Sequence, residues 1–176
     1  LYCGSRFSSL EVFTMPKQGF APALISVSAV SATVIVVVSA TLYHTRLVGP
    51  VIILLGFMPW IPLKLLGRSV HSTGADIIFG AIDTGILGIA ALVGASFAGV
   101  LGAIVGGAVG DSVTDGFAGL FEGKMAEHLR HHGIEEARTP LSSSMGKMSG
   151  CLLGVGIVLT LAWTVFGIPI QGVIGN

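Results

Sequence analysis

The stretch "DIIFGAIDTGILGIAALVGASFAGVLGAIVGGAVGDSVTDGFAGLFEG", residues 76 to 123, decides the fold. From Ile77 to Gly110 it is apolar or small almost throughout, apart from Asp83 and a few hydroxyls. A single helix over those 34 residues is roughly 50 Å long at 1.5 Å per residue, against a hydrocarbon core of about 30 Å. One straight crossing does not fit. The alternatives are a tilted helix with a water-exposed end, or two spans joined by a tight turn near "VGASFAG", residues 93 to 99.

The rest of the chain has the same character. Hydrophobic residues make up 52% of the 176 and charged residues 10%, well below the roughly one quarter charged in soluble domains. These values predict an all-α integral membrane protein, and its 26 glycines suit membrane helices that pack backbone to backbone. The net charge is zero and there is no basic run, so nothing points to nucleic acid. Cys3 and Cys151 are far apart and in unlike surroundings, suggesting neither a disulfide framework nor a zinc site.

Further spans are expected at about 20–43, at about 47–66 with Pro50, Pro59 and Pro62 breaking or kinking the helix, and at about 148–167. Residues 1–19 read as a leader outside the fold, in which Met15 is a more natural start than Leu1. Residues 20–172 read as a single transmembrane domain. The cations choose between the two readings of the long stretch. With a turn near residues 94–98, spans 77–94 and 98–121 make about five crossings. Arg6, Lys17, Lys64, Arg68, Lys124, Arg130, Arg138 and Lys147 then share one side, leaving Arg46 on the other. Without the turn they divide almost evenly. The positive-inside rule therefore predicts the hairpin, pivoting around Ser96, with the amino terminus in the cytoplasm of a multi-pass cell or inner membrane protein.

In that hairpin Asp83 lies about 10 Å beyond an entry near Asp76, and Asp111 returns to a similar depth. Asp115 is one turn below Asp111 on the same face, and Glu122 is two turns further on. The four acids form a ladder from the membrane interior to the cytoplasmic mouth. An aspartate at the bilayer centre costs about 2.5 to 3.5 kcal/mol, and no Lys or Arg occupies the apolar part of any span. Protons or a bound metal ion remain as partners. A purely structural role is also open, with a protonated aspartate bonded to Thr84, Ser112 or Thr114. Gly102, Gly106 and Gly110 repeat at four-residue spacing, a packing device that seats another helix or a second subunit against the acids.

Beyond Gly123, "KMAEHLRHHGIEEARTP" reads as a short cytoplasmic extension of the same helix, to about His132. His128 and His132 are one turn apart, as are Glu127 and His131, with Glu135 just beyond. Such spacing suits Fe(II), Mn(II) or Zn(II), and it equally suits a solvated helix end whose cations complement the dipole. "GLFEGK" is not a phosphate-binding loop and "EHLRHH" is not HExxH. No nucleophile, base and oxyanion set is visible, so the sequence predicts no enzyme.

Two segments, "DIIFGAIDTGILGIAALVGA" and "GDSVTDGFAGLFEGKMAEHLR", within residues 75–130, resemble the first helical hairpin of the vacuolar iron transporter family. The resemblance implies a homodimer with five spans per subunit that exchanges Fe(II) or Mn(II) for protons. By it, Asp83 matches the membrane acid and Glu122 the glutamate at the cytoplasmic mouth. The chain departs from that pattern at Thr84, Gly116 and Phe117, in its short cytoplasmic segment 123–146, and in having two spans before the hairpin and one after it. The sequence thus predicts a divalent-metal transporter with Asp83, Asp111, Asp115, Glu122, His128, His131, His132 and Glu135 as metal-site residues and no other cofactor. The competing expectation is a non-catalytic accessory or assembly subunit of a larger membrane complex.

Overall fold

The computed structural model describes residues 20–42, 47–131 and 139–167. The elements are α1 (Phe20–Thr41), α2 (Val48–Leu55), α3 (Trp60–Leu65), a 3₁₀ turn (Val70–Thr73), α4 (Gly74–His131) and α5 (Pro140–Leu159), which runs on into a π turn (Thr160–Val165). Among the described residues there is no strand. Among the described residues four helical stretches are long and apolar enough to cross a membrane: Phe20–Thr41, Val48–Leu65, Gly74–Phe121 and Pro140–Val165.

The longest of these is folded back on itself. Ala98 (φ −140°, ψ 26°) and Gly99 (φ 56°, ψ −134°) leave helical geometry and split α4 into arms at 74–97 and 100–131. A φ of +56° is open to glycine and strained for residues with a β-carbon, which is why the reversal falls at Gly99. Ser96, the pivot expected from the sequence, is still helical and donates its hydroxyl to the Val93 carbonyl (2.6 Å). The arms touch along their small residues: Gly102 meets Gly94, Gly106 meets Ala90, and Gly110 meets Ala90 and Leu87.

Helix α5 is the common packing partner of the bundle. It runs parallel to the first arm, with Gly146 against Asp76 and Thr73, Gly150 against Ile77, Gly154 against Ala81, and Val158 against Gly88. It runs antiparallel to α2, where Thr160 lies on Gly49 and Leu153 on Gly56. Ala23 and Val30 of α1 join Leu63, Leu141 and Met145 in a buried apolar cluster. The consequence is a common polarity: the ends near residues 65–74 and 140 lie at one end of the bundle, toward which the second arm of α4 runs, and the bend at 98–99 lies toward the opposite end, where α2 starts.

The helix that carries the last expected span, about 148–167, begins earlier, at Pro140. Thr139 and Ser142 form a reciprocal capping box, and a proline occupies the first turn. Both features start a helix. The polar run Ser142–Ser144 is accommodated because Ser142 is buried and Ser144 donates back to Leu141 (3.1 Å).

Between α2 and α3 the prolines break the helix as expected. Pro59 has no N–H, and the Trp60 N–H turns to Phe57 (3.1 Å), so neither serves the Gly56 carbonyl. Ser149 of α5, fully buried, donates to that carbonyl (2.6 Å) and accepts from the Trp60 indole (3.0 Å).

Candidate functional site

The register of the α4 hairpin places three carboxylates together. Asp83 is nine residues after Gly74 and fifteen before Ala98, about 14 Å and 22 Å along the first arm. The glycine contacts hold Gly110 against Leu87 and Ala90, so the next turn of the second arm arrives opposite Asp83. One carboxylate oxygen from each of Asp83, Asp111 and Asp115 lies within 4.8 Å of the others.

The three differ in their surroundings. Asp83 is 6% exposed, Asp111 is half-buried and Asp115 is exposed. Thr114, buried between the arms, donates its hydroxyl to Asp83 Oδ1. Its oxygen also lies 3.1 Å from the Gly110 carbonyl and 3.0 Å from that of Asp111. Thr114 is thus the hydroxyl, of the three considered from the sequence, that reaches Asp83. Ser112 instead bonds the Ala108 carbonyl of its own arm (2.9 Å).

Among the described residues no cation pairs with the three acids. The ammonium of Lys147, on the neighbouring α5, sits 5.9 Å from the Phe79 ring centroid, a cation–π contact. A donor set of three carboxylates is made of hard oxygen atoms, which suit Mg(II), Mn(II) or Ca(II) and, with less preference, Fe(II). Such a set is poorly matched to soft, thiolate-seeking ions.

The remaining predicted ligands are further along the same arm or beyond it. Glu122, His128 and His131 belong to α4, and their side chains lie outside the described part. His132 and Glu135 lie outside the described residues. Residues 1–19, read as a leader, lie outside them too.

Asp76 is the residue that sequence reasoning used only as a landmark. It is 6% exposed, buried against α5, with the Ser143 hydroxyl 3.5 Å from its Oδ1. The usable signal was its spacing: Asp76 precedes Asp83 by seven residues, two turns on the same helical face.

Compared with known proteins, the chain matches no family model, no curated protein and no solved structure.

Proposed function

We propose that the protein carries a divalent metal ion, Fe(II) or Mn(II), across a membrane in exchange for protons. In this reading each arm of α4 is a separate crossing, giving five spans, and the end bearing Lys64, Arg68, Lys124 and Lys147 faces the cytoplasm. Asp83 and Asp111 hold the ion within the membrane. Asp115 and Glu122 lead it toward the cytoplasmic mouth, and His128, His131, His132 and Glu135 gather it there.

One observation carries the proposal. Asp83 is buried inside an apolar hairpin, one of its oxygens is bonded to Thr114, and among the described residues its other oxygen has neither donor nor cation. A carboxylate so placed is tolerated when a proton or a metal ion compensates it. Because carboxylates release protons on binding metal, exchange of the two follows from the same groups.

The test is uptake of Mn(II) into liposomes containing the purified full chain, with Asp83→Asn as the comparison. Saturable uptake lost in the variant supports the reading. Flux unchanged in a folded Asp83→Asn protein rejects it.

A second reading, an accessory subunit of a larger membrane complex, is favoured by the second arm. That arm turns Val113, Phe117, Leu120 and Phe121 outward beside exposed Asp115, a mixed face that suits a protein neighbour better than lipid. Isolation of a homodimer with bound iron or manganese supports transport. Metal-free co-isolation with larger partners supports the accessory role.

A further inference from the structure

We propose that Thr114 is the positioning residue of the carboxylate site, an inference that rests on the reading of Asp83, Asp111 and Asp115 as a cation site. Thr114 is 7% exposed and lies in the second arm between Asp111 and Asp115. Its oxygen sits against two backbone carbonyls of its own arm, Gly110 at 3.1 Å and Asp111 at 3.0 Å. Those contacts and its β-branched side chain fix the rotamer. The hydroxyl has one proton and three acceptors within reach, and of these the carboxylate oxygen across the seam, Asp83 Oδ1, is the strongest.

No other hydrogen bond holds the Asp83 side chain among the described residues. Its carboxylate plane is therefore set by Thr114, with the second oxygen left for an ion shared with Asp111 and Asp115. Thr114 touches the ligand rather than the ion. Partners of this kind orient ligating carboxylates, and their loss typically weakens metal affinity about 10–100-fold.

The experiment titrates the purified full chain with Mn(II) alone, following free and bound ion by electron paramagnetic resonance. Thr114→Val keeps the shape and removes the hydroxyl; Thr114→Ser keeps the hydroxyl. The expected result is about 10–100-fold weaker binding in Thr114→Val, an altered spectrum of the residual bound Mn(II), and recovery of both in Thr114→Ser. Wild-type affinity and spectrum in Thr114→Val overturn the positioning role and leave the cation site standing. Weakening in Thr114→Ser equal to that in Thr114→Val also overturns it, because shape rather than the hydroxyl is then responsible. Absence of Mn(II) binding in the wild-type chain removes both this role and the site. Should Thr114→Val fail to fold, Thr114→Ala is read against the same outcomes.

Discussion

Gly94 and Gly102 face each other across the bend of α4 so closely that a β-carbon on either would run into the other's carbonyl group. This pair closes the hairpin, and every acid contact further down the arms depends on its register. Gly102→Val should therefore force the arms apart at the bend end and lower stability by about 1–3 kcal/mol or more, the range for overpacking a tight contact. Gly99→Ala should cost about 1–3 kcal/mol through backbone strain alone, since its φ is +56°. Thermal unfolding in detergent measures both. A Gly102→Val protein as stable as wild type would show that the arms do not meet there.

The bend predicts a topology. If each arm crosses the membrane, Ser96 and Lys124 lie on opposite sides, because they sit at opposite ends of the folded α4. Single cysteines at Ser96 and Lys124, in a chain with Cys3 and Cys151 replaced by serine, should then react with an impermeant thiol reagent from opposite faces of sealed vesicles. Labelling of both positions from the same face contradicts the five-crossing arrangement.

The coarse fold was legible in the sequence, and the reasons are physical. Hydropathy and the excess length of residues 77–110 called for a hairpin, and the one-sided cations chose the turn over a tilted helix. The bend at Ala98 and Gly99 falls within the expected turn, residues 93 to 99, and the dihedral freedom of Gly99 sets it there rather than at Ser96. Of the acids, Asp83, Asp111 and Asp115 were readable from helical spacing, since distance from a common bend sets depth on both arms. The packing of α5 was less visible. Gly146, Gly150 and Gly154 repeat at the same four-residue spacing as Gly102, Gly106 and Gly110, yet their partners on the first arm follow from long-range docking that local pattern does not encode. The polar run beginning at Ser142 likewise hid the start of that helix, whose signal was the Thr139–Pro140 cap.

Asp83 and Asp115 should respond differently to neutralisation. Asn at position 83 keeps an acceptor for the Thr114 hydroxyl while removing a buried charge, so Asp83→Asn is expected to unfold no more readily than wild type and to lose Mn(II) uptake. Asp115 is exposed and keeps no internal hydrogen bond among the described residues, so Asp115→Asn should leave stability within about 0.5 kcal/mol of wild type and weaken uptake without abolishing it. Parallel measurements of thermal stability and liposome uptake separate these outcomes. Equal loss of uptake in the two variants would mean that both carboxylates are indispensable to the ion, rather than one buried anchor and one outer ligand.

The break between α2 and α3 offers a test independent of any ion. Ser149 satisfies two groups at once, the Gly56 carbonyl that the prolines orphan and the Trp60 indole N–H. Ser149 is fully buried, so water has no direct route to the place its hydroxyl vacates. Leaving a buried polar group unpaired costs about 1–3 kcal/mol, and Ser149→Ala strands two of them. Partial relaxation of the Trp60 side chain, which packs edge-on against Phe57 with centroids 5.0 Å apart, should recover part of that. The expected result is a loss of about 1–3 kcal/mol in unfolding free energy, accompanied by a change in Trp60 emission measured with Trp163 replaced by phenylalanine. Ser149→Thr, which keeps the hydroxyl but adds a methyl to a site with no exposure, should retain the emission of wild type while losing stability through crowding. An alanine variant with unaltered emission and stability would show that α5 does not seal the broken helix through this residue.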